Sequence, residues 1–228
     1  KHAYIVDMGR SYIANIEGYK TKIKRAPPCI RFPDQSLLEE KNYWILTSIG
    51  SSKKLLYKCF DQVSRKLRMI KRVPKSKLLK NPISKGELGY LMTLNHINIV
   101  SYVECFDNET HWFMVMEYCE DRISPYYEGR LKVGEWDIRN IGRQLLIGLY
   151  YLHVNHVVHR DIKPGNILKD GRGFIKIADF GEAQIIPLTN DKEKFDLNSL
   201  MGTPAYMAPE CLHKAKVHPS ADVWSFGC

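Results

Sequence analysis

The run His159-Arg160-Asp161-Ile162-Lys163-Pro164-Gly165-Asn166 and, thirteen residues beyond its last member, Asp179-Phe180-Gly181 decide how this chain is read. Asp161 places a carboxylate two residues from the Lys163 ammonium, while Asn166 and Asp179 offer hard oxygen donors of two kinds, an amide and an acid. A carboxylate can accept the proton of a hydroxyl, and an ammonium can neutralise charge on a group in transfer. One acid plus one amide suits Mg²⁺, which takes few protein carboxylates and fills its other positions with phosphate oxygens and water. Each piece alone has a plain structural reading: an aspartate capping a turn, a solvated lysine, and an Asp-Phe-Gly turn, since Asp and Gly are both turn formers. Their order and spacing within 23 residues weigh for a reaction centre.

The surroundings say what holds these residues. Ile138, Ile141, Leu145, Leu149 and Leu152 recur at steps of three and four, which predicts a helix carrying its apolar stripe up to His153. Val157-Val158, Ile167-Leu168 and Phe174 to Ala178 are short apolar runs beside the charged residues, so the chemistry lies on loops held by a packed core. Further upstream, Tyr43 to Leu46, Leu55 to Phe60, Leu67 to Val73 and Trp112 to Glu117 are rich in β-branched and aromatic residues and read as strands. Ser84 to Asn95 reads as a helix with Leu88, Leu91 and Met92 on one face. The class is α+β: a small antiparallel sheet with one main helix over 42–118, then a mostly helical part over 119–228. Residues 1–41 read as an extension or linker, closed by Ala26-Pro27-Pro28 and Phe32-Pro33-Asp34, where proline disfavours regular structure.

Composition narrows the setting. A chain of 228 residues supports one or two domains and a sizeable core. Lys plus Arg outnumber Asp plus Glu by 34 to 25, for a net charge of +9, which favours an anionic ligand or partner. The basic residues are scattered apart from Lys20-Thr21-Lys22-Ile23-Lys24-Arg25, which reads as a solvated, mobile segment; with no zinc-finger spacing and no RNA-recognition motif, nucleic acid is not an expected partner. The six cysteines form no C-x-x-C pair, so reduced thiols in the cytosol or nucleus are expected. No apolar run approaches the ~18 residues that span a membrane. The chain opens at Lys1 and stops at Cys228 inside an apolar segment, so both ends look cut.

Over about residues 43–228 the chain resembles eukaryotic-type protein kinases of the serine/threonine class. The resemblance rests on the two runs above, on Glu117-Tyr118-Cys119 as a hinge, on Gly202-Thr203-Pro204-Ala205-Tyr206-Met207-Ala208-Pro209-Glu210, and on Asp222-Val223-Trp224-Ser225-Phe226-Gly227. It implies a two-lobed fold whose C-lobe lacks its last helices here, and transfer of the γ-phosphate of ATP, with Mg²⁺, to Ser/Thr hydroxyls of a protein substrate. By that resemblance Asp161 is the catalytic base and Lys163 the charge-neutralising cation, in a position that departs from the arginine-containing loop of tyrosine kinases. Asn166 and Asp179 are then the metal ligands. Gly50, Lys71, Glu117, Cys119 and Leu168 belong to the ATP site, with Glu87 as the helix partner of Lys71; the plainer reading of Ser84-Lys85-Gly86-Glu87 is a capping box, and the ion pair is favoured over it. Arg160 is the residue to pair with a phosphate on the segment from Asp179 to Glu210, with Ser199 and then Thr189 as acceptors and an upstream activating kinase as a partner. Thr203 would hydrogen-bond near Asp161, and Glu210 would take an arginine from a later helix. Two of the runs are similar to those of calcium/calmodulin-dependent kinase kinases, although the stretch between Lys71 and Glu87 lacks that group's proline-rich insert.

One segment departs from the pattern. Ile49-Gly50-Ser51-Ser52-Lys53-Lys54-Leu55-Leu56-Tyr57 keeps the first of three glycines, with Ser52, Leu55 and Tyr57 read at the second glycine, third glycine and valine positions, and Met69 replaces a small residue. Glycine lets backbone N–H groups approach phosphate closely. Weakened or altered ATP binding is therefore expected, and with it an alternative reading as a kinase-shaped scaffold with little catalysis.

Overall fold

The computed structural model describes residues 5–7, 10–16, 19–22, 32–51, 54–78, 85–123, 134–186, 202–212 and 218–228. The chain divides into two units, the first made of 1–82 and 102–118, the second of 83–101 and 119–228. Residues 83–101, expected with the sheet, thus group with the helical part.

In the first unit, β1 (Ile5–Asp7), β2 (Arg10–Ile16) and β3 (Tyr19–Lys22) form an antiparallel sheet in the order β1-β2-β3. Lys20, Thr21 and Lys22 of the basic run therefore lie in a strand, while Ile23, Lys24 and Arg25 lie outside the described residues. After α1 (Gln35–Glu40) comes the main sheet of five strands: β4 (Tyr43–Ser51), β5 (Lys54–Asp61), β6 (Lys66–Pro74), β7 (Tyr102–Asp107) and β8 (His111–Glu117), in the order β4-β5-β6-β8-β7, every pair antiparallel. A short α2 (Lys75–Leu78) follows β6. The β5–β6 turn is held by Asp61, whose Oδ1 accepts from the backbone N–H of Val63 and Ser64 at 3.0 and 3.1 Å.

Register sorts this sheet into two faces, because residues directly opposite share a face. Tyr57 lies opposite Ile70, and Ile70 opposite Val115. That row belongs to a core of Leu38, Tyr43, Ile45, Tyr57, Cys59, Ile70, Phe106, Phe113 and Val115. Leu56 lies opposite Lys71, and Lys71 opposite Met114, on the other face. The expected placement of Tyr57 at the valine position is thus corrected by one residue: Leu56 shares the face of Lys71, and Tyr57 points into the opposite core, fully buried.

The extension-or-linker reading of 1–41 gives way over residues 32–40. Leu38 of α1 is fully buried in that core, and Phe32 meets Tyr57 edge-on at 6.1 Å between ring centroids. The buried carboxylate of Asp34 accepts from the Tyr57 hydroxyl at 2.5 Å. Arg72 Nε lies 2.9 Å from the same Asp34 oxygen without hydrogen-bond alignment, so that contact is one of charge. A sheet with an apolar face must cover it; residues 32–40 do so here.

The second unit holds α3 (Lys85–Thr93), β9 (Asp121–Arg122), α4 (Glu135–Val154), β10 (Val157–Val158), β11 (Ile167–Lys169), β12 (Ile175–Ile177), β13 (Gln184–Ile185), α5 (Pro209–Leu212) and α6 (Ser220–Gly227). At the start of α4 the backbone N–H of Gly134 donates to Asp137 at 3.1 Å, satisfying one group at the helix entrance. Leu145, Leu149 and Leu152 are buried as the stripe predicts, whereas Ile138 is 61% exposed. Gly148 is tightly enclosed, since a Cβ there would meet Ile177 Cδ1 at 3.0 Å and Asn98 at 3.2 Å. The strands β9, β11 and β12 form a small sheet in the order β12-β11-β9, and β10 pairs with β13. None of the described helices is long and apolar enough to cross a membrane.

Candidate active site

Three short segments of the second unit converge on Asp161. The Lys163 ammonium donates to Asp161 Oδ2 at 2.7 Å and to the Thr203 hydroxyl at 2.6 Å, and that hydroxyl donates to Asp161 Oδ1 at 2.7 Å. Asn166 Nδ2 donates to both Oδ2 and the main-chain oxygen of Asp161, each at 2.8 Å. The carboxylate is 9% exposed and is held by three side-chain donors in one orientation. Because the amide nitrogen of Asn166 is committed to Asp161, its oxygen points the other way, the orientation a hard cation needs.

The loop carrying Asp161 is tied down from behind. Asp222, on α6 and fully buried, accepts from the backbone N–H of His159 and of Arg160, both at 2.8 Å, and bonds His153 Nε2 at 2.9 Å. His159, also fully buried, accepts at Nδ1 from the Asp161 N–H at 3.2 Å. Its proton therefore sits on Nε2, which donates to the carbonyl of Ala178 at 3.0 Å. That bond reaches the residue before Asp179, and the Ala178 N–H returns to the Asn166 carbonyl at 2.9 Å. One histidine thus couples the strand end bearing Asp179 to the loop bearing Asp161 and Asn166. Phe180 seals the arrangement, edge-on to His159 at 5.0 Å.

Two non-glycine residues here adopt left-handed backbone, Arg160 at φ 67° and Asp179 at φ 65°. Such conformations cost ~1–3 kcal/mol each and persist only where their surroundings impose them. At Arg160 the imposition is Asp222; at Asp179 the side-chain Oδ1 accepts from Gly181 N–H at 3.3 Å. Gly202 has φ 106°, and a Cβ there would lie 2.5 Å from the Arg160 carbonyl oxygen, so only glycine brings Thr203 this close. The Arg160 guanidinium donates to Gln184 at 3.1 Å. Burial, the larger effect, opposes its charge, while Glu182 and Asp222 support it.

The sequence places Asp161, Lys163, Asn166 and Thr203 in one centre, and in the structure the last three each bond Asp161. Asp179 follows one residue after Ala178. Leu168 is half-buried on β11, opposite Lys176 and Arg122, and Glu210 is half-buried in α5. In the first unit, Gly50 takes φ 105°, Lys71 is half-buried on β6, and Glu117 ends β8 with Cys119 two residues on. Glu87 belongs to α3, but its side chain, together with Ser199 and Thr189, lies outside the described residues. His153, His159 and Asp222 were missed as organisers. The available signal was an aspartate inside an otherwise apolar run, since a buried acid requires donors.

Among the described residues no cluster of three or more His, Cys, Asp or Glu could hold a metal unaided. Asn166 and Asp179, an amide oxygen and a carboxylate, fit Mg²⁺ arriving with a polyphosphate.

Comparison with known proteins follows the same lines. A family model described as a protein kinase domain matches residues 47–228. Serine/threonine-protein kinase 36 of Pongo abelii is 35% identical over 193 residues, 82% of this chain and 14% of that protein. Serine/threonine-protein kinase fused of Drosophila melanogaster is 34% identical over 177 residues, 76% of this chain and 21% of that one. Cell division control protein 7 of Schizosaccharomyces pombe is 37% identical over 162 residues, 70% and 15% respectively. The chain spans between 14% and 21% of the length of these three relatives.

Proposed function

From the premise that this chain belongs to the protein kinase family, we propose that it transfers the γ-phosphate of ATP to serine or threonine hydroxyls of protein substrates. The observation that carries this reading is the triangle of Asp161, Lys163 and Thr203, closed by Asn166, in which every polar group has a role that phosphoryl transfer needs.

When bound, ATP supplies the phosphoryl group and Mg²⁺ supplies charge neutralisation; Asn166 and Asp179 would hold the ion and Lys71 the phosphates. Asp161, fixed by three donors, accepts the hydroxyl proton and holds that oxygen in place for attack. Lys163 keeps its ammonium beside the developing charge. Thr203 ties the 202–206 segment to the base, so that the segment meeting the substrate and the residue acting on it move together. Arg160 is proposed to receive a phosphate placed between Asp179 and Glu210 by an upstream kinase. A cytosolic or nuclear setting is proposed with it, in keeping with the cysteine spacing of the sequence.

The test is incorporation of labelled γ-phosphate into a mixed protein substrate by the unaltered chain and by Asp161→Asn. Loss of general-base assistance lowers transfer by at least ~10²-fold; equal incorporation by both forms overturns the reading. A second reading, a kinase-fold binding module, is favoured by the loop from Ile49 to Tyr57, where Gly50 alone remains of three glycines. That reading holds if the unaltered chain incorporates no label and binds Mg²⁺-ATP weakly or not at all.

A further inference from the structure

We infer that Lys58 and Tyr118 form a positioning clasp that sets the base end of the nucleotide site, an inference that rests on the proposed reading of Lys71 and the 117–119 segment as nucleotide-binding. The main sheet presents two neighbouring rows on the face of Lys71. The first is Leu56, Lys71 and Met114; the second is Lys58, Met69 and Met116. The rows are ~6.5–7 Å apart along the strands, two residues of rise. The second row is displaced toward Glu117, where β8 ends.

Lys58 therefore begins on the same face as Lys71, but its charge is used elsewhere. Its ammonium donates to the Tyr118 hydroxyl at 2.9 Å and lies 4.1 Å from the centre of the Tyr118 ring. The two contacts are made by one side chain on one ring, and they do different things. The hydrogen bond fixes the outer end of the tyrosine, and the cation over the π-face fixes the plane of the ring. Both residues are half-buried, so the attraction is less screened than on an open surface.

The consequence is preorganisation. Tyr118 sits between Glu117 and Cys119, so a ring held against β5 fixes the backbone on both sides of it. Backbone groups already in place bind a planar base without first losing conformational freedom, and binding gains by that saved entropy. Lys58 and Tyr118 touch neither phosphate nor metal in this reading, so they act through the segment they hold. The clasp also supplies from side chains some of the order that Gly50 alone, without its two companion glycines, leaves to other parts of the site.

The experiment uses the full chain with Mg²⁺ and two probes: ATP, which carries the base, and inorganic tripolyphosphate, which does not. Lys58→Met is expected to weaken ATP about 5- to 10-fold, the range of a partly desolvated cation–π contact, and to leave tripolyphosphate unchanged. Tyr118→Phe keeps the ring and loses the hydroxyl, so it falls between the two. Lys58→Arg, which stacks on tyrosine as well as lysine does, restores ATP affinity to within about twofold. Thermal unfolding of each form is recorded alongside, because a merely structural role lowers both affinities together with the midpoint. Equal weakening of both probes, or no change in either, overturns the clasp while leaving the nucleotide reading intact. An unaltered chain that binds no ATP overturns that reading and the clasp with it.

Discussion

Asp222 shows how much one buried carboxylate can organise. Removed from water, it must be repaid by donors, and it collects two backbone N–H groups and a histidine from segments more than sixty residues away in sequence. Those bonds force Arg160 into left-handed backbone, which turns its carbonyl toward Gly202. Gly202 is thus a residue whose lack of a side chain is the point. Gly202→Ala is expected to cost ~1–3 kcal/mol through strained backbone. It should also lower phosphate transfer, because the Cβ pushes Thr203 away from Asp161. Urea unfolding combined with an initial-rate assay checks both. Wild-type values in the two would show that the 2.5 Å approach is relieved without cost.

At the scale of elements, the main sheet illustrates why register matters more than strand identity. Side chains alternate, so a slip of one residue exchanges the faces. Tyr57 and Leu56 are both apolar neighbours in one strand, and only the pairing to β6 tells which of them accompanies Lys71. The face that Tyr57 enters is closed by α1, six residues long and too short to announce itself by periodicity. Leu38 is the test of that cover. Leu38→Ala, at a fully buried position, is expected to destabilise the first unit by ~2–5 kcal/mol. Chemical denaturation reads this directly, and a loss below ~0.5 kcal/mol, the scale of a surface substitution, would mean that α1 covers nothing. Asp34 adds a polar anchor to the same element through Tyr57 and Arg72; its partner Tyr57 is pushed up in pKa by burial and by that carboxylate.

Across the molecule, stability should depend on pH through His96. Its Nδ1 accepts from the Asn98 N–H at 3.1 Å and its ring stacks on Tyr151 at 4.7 Å, joining the end of α3 to α4. Burial, followed by the charge of Lys176, holds its pKa below the ordinary value. A depressed folded-state pKa means that its contribution is fully present above the unfolded value of ~6.5 and is lost as pH falls through the folded one. Unfolding free energy should therefore decline on acidification from pH 7, and His96→Asn, which keeps an acceptor but does not titrate, should flatten that decline. An unchanged pH profile would exclude this role. The sequence alone determined the family, the strands flanking Lys71, the helix whose apolar stripe runs up to His153 and the grouping of Lys163 and Asn166 around Asp161, because these depend on local order, spacing and periodicity. Tertiary structure decided which side of the sheet Tyr57 enters, that residues 32–40 belong to the core, that Ile138 stays exposed, and that Asp222 and His159 hold the loop. Those outcomes depend on contacts between residues far apart in the chain, and no local pattern of residues encodes which partner a buried polar group will find.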